Sequence, residues 1–180
     1  MVQTKKTDNS HLSLKVRLRI QHLPAHGDIR VMDCFTGKGL IWRQVKAATG
    51  RNIYTLPIDI RKDIGFHLPG DNLGYLATLT LSKYDIVDLD AYGIPYRQLK
   101  MLFERQYHGI VFVTFIQAIY GQLPYGMLEE VGFTRAMIEK CPSIFAGRGW
   151  EFFLEWVANN GVTELYHHSH GRKHYLCFNL

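Results

Sequence analysis

The sequence predicts an α/β fold in three layers: a mostly parallel sheet between helices, closed by a terminal β-hairpin that places one strand antiparallel. Three observations predict it. Five short apolar runs are each followed by a segment of helical periodicity. One run, residues 109–116 (GIVFVTFI), is apolar throughout, as at the centre of a parallel sheet. The end, residues 162–180, reads strand, turn, strand around Ser169-His170-Gly171-Arg172.

Residues 1–29 are expected to form an N-terminal extension, and residues 30–180 the main domain. Residues 1–10 are polar and read as a disordered tail. Residues 11–23 alternate Leu12, Leu14, Val16, Leu18 and Ile20 with Lys15, Arg17 and Arg19. That period of two predicts an edge strand, with a short helix as the competing reading. Its charged face is either a solvated edge or a nucleic-acid contact.

Residues 30–42 (RVMDCFTGKGLIW) organise the rest. A strand ends at Asp33, a glycine turn follows, and Leu40, Ile41, Val45 and Ala48 mark one face of a helix stopped by Gly50. Backbone N–H groups at such a helix start favour an anionic group, and glycine permits close approach. A phosphate-binding P-loop is rejected, because Met32 stands where its first Gly is needed and Gly39 where Ser or Thr should follow Lys38. A dinucleotide fingerprint is rejected because Trp42 replaces its third Gly.

Residues 52–60 read as a second strand ending in Asp59, 26 positions after Asp33. A third strand is expected near 64–68, and so few residues separate it from Asp59 that any helix between strands two and three is one turn or missing. Pro69-Gly70-Asp71-Asn72 then makes a turn and helix cap before Leu73, Leu76, Ala77 and Leu81. Residues 84–89 form a fourth strand running into Asp90-Ala91-Tyr92-Gly93-Ile94-Pro95, where Pro95 suits a first helical turn. After the fifth strand, residues 118–126 read as loop, 128–141 and 150–160 as helices, and Gly147-Arg148-Gly149 as a flexible link.

An apolar content of 47% and a charged content of 21% are those of a globular protein, and no run reads as a membrane span or signal peptide. Three cysteines without metal spacing point to a reduced, cytoplasmic protein. The net charge of +5 favours an acidic partner such as nucleic acid. His167, His168, His170 and His174 cluster at the hairpin. Adjacent residues on a strand point to opposite faces, so no metal site is expected there. Cys34 reads as a small buried side chain rather than a nucleophile.

The glycine turn, the acid ending strand two, the Asp71-Asn72 pair, the acidic-aromatic turn after strand four and the closing hairpin together resemble the Rossmann-like class I S-adenosylmethionine-dependent methyltransferases. The resemblance covers residues 30–180. It implies S-adenosyl-L-methionine as cofactor, held by Asp33, Phe35, Thr36, Gly37 and Gly39 around the methionine part. It implies Asp59 on the ribose, Asp71 and Asn72 at the adenine, and Asp88 nearby. Asp88-Leu89-Asp90-Ala91-Tyr92-Gly93 is similar to the acidic turn of amino-group methyltransferases acting on adenine-N6 and on tRNA guanine-N2. Asp90 and Tyr92 would then be catalytic, and Tyr92, Gly93 and Pro95 would contact a base in RNA or DNA. The sequence departs at Ala91, where those families carry Pro, and it lacks their extra substrate domain. A homodimer or a partner subunit would be one way to enclose the substrate. A non-catalytic cofactor- or nucleic-acid-binding module, and a methyltransferase for a small molecule or protein, are the competing readings.

Overall fold

In the computed structural model, which describes residues 10–63, 65–117 and 123–180, the first element is a helix, α1 (Leu12–Gln21), not the expected edge strand. Its buried residues are Lys15, Val16, Leu18 and Arg19, while Arg17 is exposed. Both periods fit the string LSLKVRLRI. The contacts decide, because only a helix brings Lys15 and Arg19 to one side and turns Arg17 away. The tail over 1–9 lies outside the described residues.

β1 (Ile29–Asp33) leads through the glycine turn to α2 (Leu40–Thr49), which Gly50 ends at a φ of 65°. β2 (Ile53–Asp59) follows as expected. β3 is only Leu68–Pro69, later and shorter than the strand read at 64–68, of which Ile64 lies outside the described residues. Pro69 carries no N–H to extend the ladder. No helix lies between β2 and β3 among the described residues. α3 (Asn72–Thr78), a 3₁₀ turn (Leu81–Lys83), β4 (Ile86–Leu89), α4 (Tyr96–Glu104) and β5 (Ile110–Ile116) come next.

The helix expected over 128–141 is two helices, α5 (Tyr125–Glu130) and α6 (Arg135–Lys140). Gly132, at a φ of 98°, leaves the helical path, and the Thr134 hydroxyl accepts from the Met137 N–H to start the next helix. Residues 118–122 of the expected loop lie outside the described residues. The Gly147-Arg148-Gly149 link is the joint between α7 (Pro142–Gly147) and α8 (Gly149–Asn159) rather than a free loop. A Cβ at Gly149 would fall 1.9 Å from the Gln117 Oε1, so the start of α8 is packed down on the end of β5. The hairpin is β6 (Leu165–His170) and β7 (Lys173–Asn179), turning at Gly171.

The seven strands run in the order β3-β2-β1-β4-β5-β7-β6. All neighbours are parallel except β7, which runs antiparallel to both β5 and β6. Side chains alternate between two cores. Val31, Ile86, Phe112 and Cys177 meet α1 and α2 on one face, whereas Met32, Val87, Val111, Val113 and Leu176 meet α3, α4, α5 and α8 on the other. Among the described residues, α1 and α2 are the helices on the first face. Chain order reverses between β1 and β4, so their carboxyl ends open a crevice, the usual ligand position in such sheets. No helix among the described residues is long and apolar enough to cross a membrane.

Candidate active site

At the crevice, Gly37 and Gly39 adopt φ values of 51° and 64°, a backbone that side chains rarely take, and Gly39 starts α2. The turn is pinned from both sides. The Thr36 N–H donates to the Ile58 carbonyl at 3.0 Å, and the Gly37 N–H to the Asp59 Oδ2 at 2.9 Å. The other oxygen of Asp59 accepts from the Arg61 N–H at 2.9 Å. Phe35 is half-buried and packs on the core.

Asp71 caps α3 by accepting from the Leu73 N–H at 3.1 Å. Asn72 is buried and works as a cross-brace. Its Nδ2 donates to the Cys34 carbonyl and its Oδ1 accepts from the Gln98 Nε2, both at 2.8 Å. It therefore fixes the wall formed by α3, α4 and the end of β1.

Three acids project from β1 and β4 toward α1 and α2: Asp33, Asp88 and Asp90. Asp88 is completely buried, and Arg19 grips it with two bonds, Nε to Oδ2 at 2.7 Å and Nη2 to Oδ1 at 2.6 Å. The Trp42 indole N–H adds a third donor at 2.8 Å. Trp42, which excluded a dinucleotide turn, thus packs under the loop and holds an acid. The resemblance put Asp88 beside the cofactor; its oxygens instead face Arg19 and Trp42, and it shapes the crevice from below. Asp90 accepts from the Lys15 ammonium at 2.8 Å and from the Thr114 hydroxyl. Asp33 accepts from the Thr36 hydroxyl at 2.8 Å, and no cation among the described residues forms an ion pair with it.

Burial works against the Arg19 charge, but Asp88 more than compensates and raises its pKa. Burial pushes the Asp88 carboxyl upward against the pull of Arg19. Asp33 is held well above the usual carboxylate range by burial and then by the Asp88 charge. Burial and Asp33 likewise raise the Cys34 thiol, which keeps it neutral and fits a packing role.

Beyond β4, Ala91 is buried, whereas Tyr92 is 67% exposed. Gly93, at a φ of 137°, accepts from the Ile116 N–H through its carbonyl, and Pro95 is buried as the cap of α4. The Ala91 N–H donates to the Leu89 carbonyl at 2.8 Å. Asp90, Tyr92 and the glycine turn all lie at the carboxyl edge of the sheet. The histidines divide as the pleat requires. His174 stacks on Trp150 with ring centres 3.9 Å apart and meets the Ser169 hydroxyl, while His170 lies against His11. No three potential metal ligands converge among the described residues.

Sequence reasoning missed Lys15 and Arg19 as parts of the site, together with Trp42, Thr114 and Gln98 as donors. The four-residue spacing of Lys15 and Arg19 was the available signal, once read on a helix.

No protein-family model matches the sequence, and no curated protein does either. Solved structures do match. A S-adenosylmethionine-dependent methyltransferase from Archaeoglobus fulgidus superposes with a TM-score of 0.54 at 13% identity, over 93% of each chain. A methyltransferase from Geobacter sulfurreducens gives a TM-score of 0.54 at 14% identity, over 97% of this chain and 80% of that one. The DszA carbon methyltransferase gives 0.51 at 14% identity, over 93% and 51%. The architecture is the class I fold of S-adenosylmethionine-dependent methyltransferases.

Proposed function

We propose that the chain binds S-adenosyl-L-methionine at the carboxyl edge of β1, β2 and β4 and methylates an exocyclic amine of a base in RNA or DNA. The residues present fit that cofactor. Asp59 accepts the Gly37 N–H on Oδ2 and the Arg61 N–H on Oδ1, with the Arg61 guanidinium 3.4 Å from Oδ1, and since a carboxylate has about four acceptor positions it can still accept from ribose hydroxyls. Gly37 and Gly39 carry no side chains of their own in the turn, Asp71 is exposed, and the Asn72 brace holds the wall formed by α3 and α4. When bound, the cofactor supplies a methyl group on a positively charged sulfur.

The single observation that carries the acceptor assignment is the fixed acid beside the exposed ring. Lys15 and Thr114 each take one lone pair of Asp90 and orient the carboxylate, leaving one on each oxygen. An amine N–H directed there would localise the nitrogen lone pair and stabilise the positive charge that develops as the nitrogen is alkylated. Tyr92 would stack on the base, a contact worth about 1–3 kcal/mol. A second reading, a binding module without turnover, has its own observation: the Lys15 ammonium already neutralises Asp90. Transfer of labelled methyl from the cofactor to total RNA and to DNA separates the two. The enzyme reading predicts incorporation by wild type that falls about 100-fold in Asp90→Ala, with cofactor affinity retained. Cofactor binding by the wild type with no incorporation into either nucleic acid would overturn the nucleic-acid reading and leave the binding module or a methyltransferase for a small molecule or protein.

A further inference from the structure

The groove beside β2 has a chemical character of its own. Its cavity of about 320 Å³ lies between α2 and β2. One wall is basic, with Lys38, Arg43 and Lys46 all exposed. The other is apolar, with Ile53, Pro57 and the ring of Phe66, which is 54% exposed and rests 3.1 Å from where a Cβ on Gly39 would stand. Arg43 and Lys46 are three apart on α2 and so lie side by side along the groove. Asp33 lies buried at its inner end.

The charge of the whole chain is divided in the same sense. Residues 1–83 contain thirteen Lys and Arg against six Asp and Glu, whereas residues 84–180 contain eight against ten. α1, α2 and β2 belong to the basic part, and α4 to α8 to the acidic part.

We propose that this groove binds a single strand of nucleic acid, with Arg43 and Lys46 on its phosphates and Phe66 under a base. A basic track beside an exposed aromatic ring is the combination such strands require, since each base has a face to stack and each link a charge. Charge alone would equally suit an acidic peptide; the exposed ring favours nucleic acid. The inference rests on the nucleic-acid half of the proposed function.

The test is fluorescence anisotropy with a labelled single-stranded RNA of mixed sequence, titrated from about 50 to about 200 mM salt. Arg43→Glu/Lys46→Glu is expected to weaken binding at least about ten-fold and to lower the salt slope by about two. Phe66→Ala is expected to weaken it about ten-fold with the slope unchanged. Arg135→Glu/Lys140→Glu, an equal charge change on α6, is expected to have little effect. Absence of RNA binding by the wild type, equal weakening by the two double variants, or tighter binding of polyglutamate than RNA in this groove would each overturn the proposal. Calorimetry with S-adenosylhomocysteine on the same proteins separates the two claims. RNA binding without cofactor binding leaves the groove and removes the methyltransferase reading, and the converse removes the groove alone.

Discussion

Arg19 ties α1 to the sheet through a buried ion pair. It is 1% exposed, joins α1 to β4 through two bonds to Asp88, and lies over the Phe112 ring at 5.0 Å. Removing one partner of a buried pair leaves the other charged and unsatisfied, at a cost of about 3–5 kcal/mol. Arg19→Met is therefore expected to lower unfolding free energy by that amount in urea titrations, and Asp88→Asn added to it to restore a large part, since the amide oxygen can still accept from Trp42. A loss below about 1 kcal/mol, the size of an exposed ion pair, would show that the pair is not buried in solution. At this scale the acids were legible and the cations were not. Asp33, Asp59, Asp88 and Asp90 announce themselves at strand ends. Lys15 and Arg19 sit in a string where every second residue is apolar, so alternation hid a spacing of four.

The same ambiguity governs the elements. α1 was read as an edge strand because Leu12, Leu14, Val16, Leu18 and Ile20 alternate; burial of Val16 and Leu18 against Ile29, Val45 and Phe112 selects the helix. A local pattern cannot express that choice, which depends on residues far along the chain. The break at Gly132 and the joint at Gly149 depend likewise on what each glycine must accommodate. The hairpin, by contrast, was legible from its turn chemistry alone. It also carries a pH dependence. Burial, with His167 adding to it, lowers His174 to about 4 against an ordinary 6.5, and Trp150, Phe115 and Ser169 surround it. A depressed folded value means that its contribution is present above about pH 6.5 and is lost as the pH falls through about 4. Urea midpoints of the wild type should therefore drop more steeply over that interval than those of His174→Gln. Parallel curves would contradict the placement of a neutral imidazole between α8 and the hairpin.

At the scale of the whole molecule, the mostly parallel sheet with one antiparallel strand followed from the rhythm of apolar runs, since each run has one place in such a sheet. The short gap after Asp59 already limited any helix between strands two and three to one turn, and none lies there among the described residues. What the rhythm did not reveal is α1, which joins α2 on one face and aims cations at the crevice acids. The architecture places Asp59, the glycine turn and Asp90 along one edge, and the account stands on a cofactor bound there. Calorimetric titration with S-adenosylhomocysteine, of wild type and of Asp59→Ala, tests it most directly. The account predicts micromolar binding by the wild type, weakened about ten-fold or more in the variant, because two hydrogen bonds to a charged acceptor are lost. No detectable heat with the wild type, or equal affinity in both proteins, would contradict it.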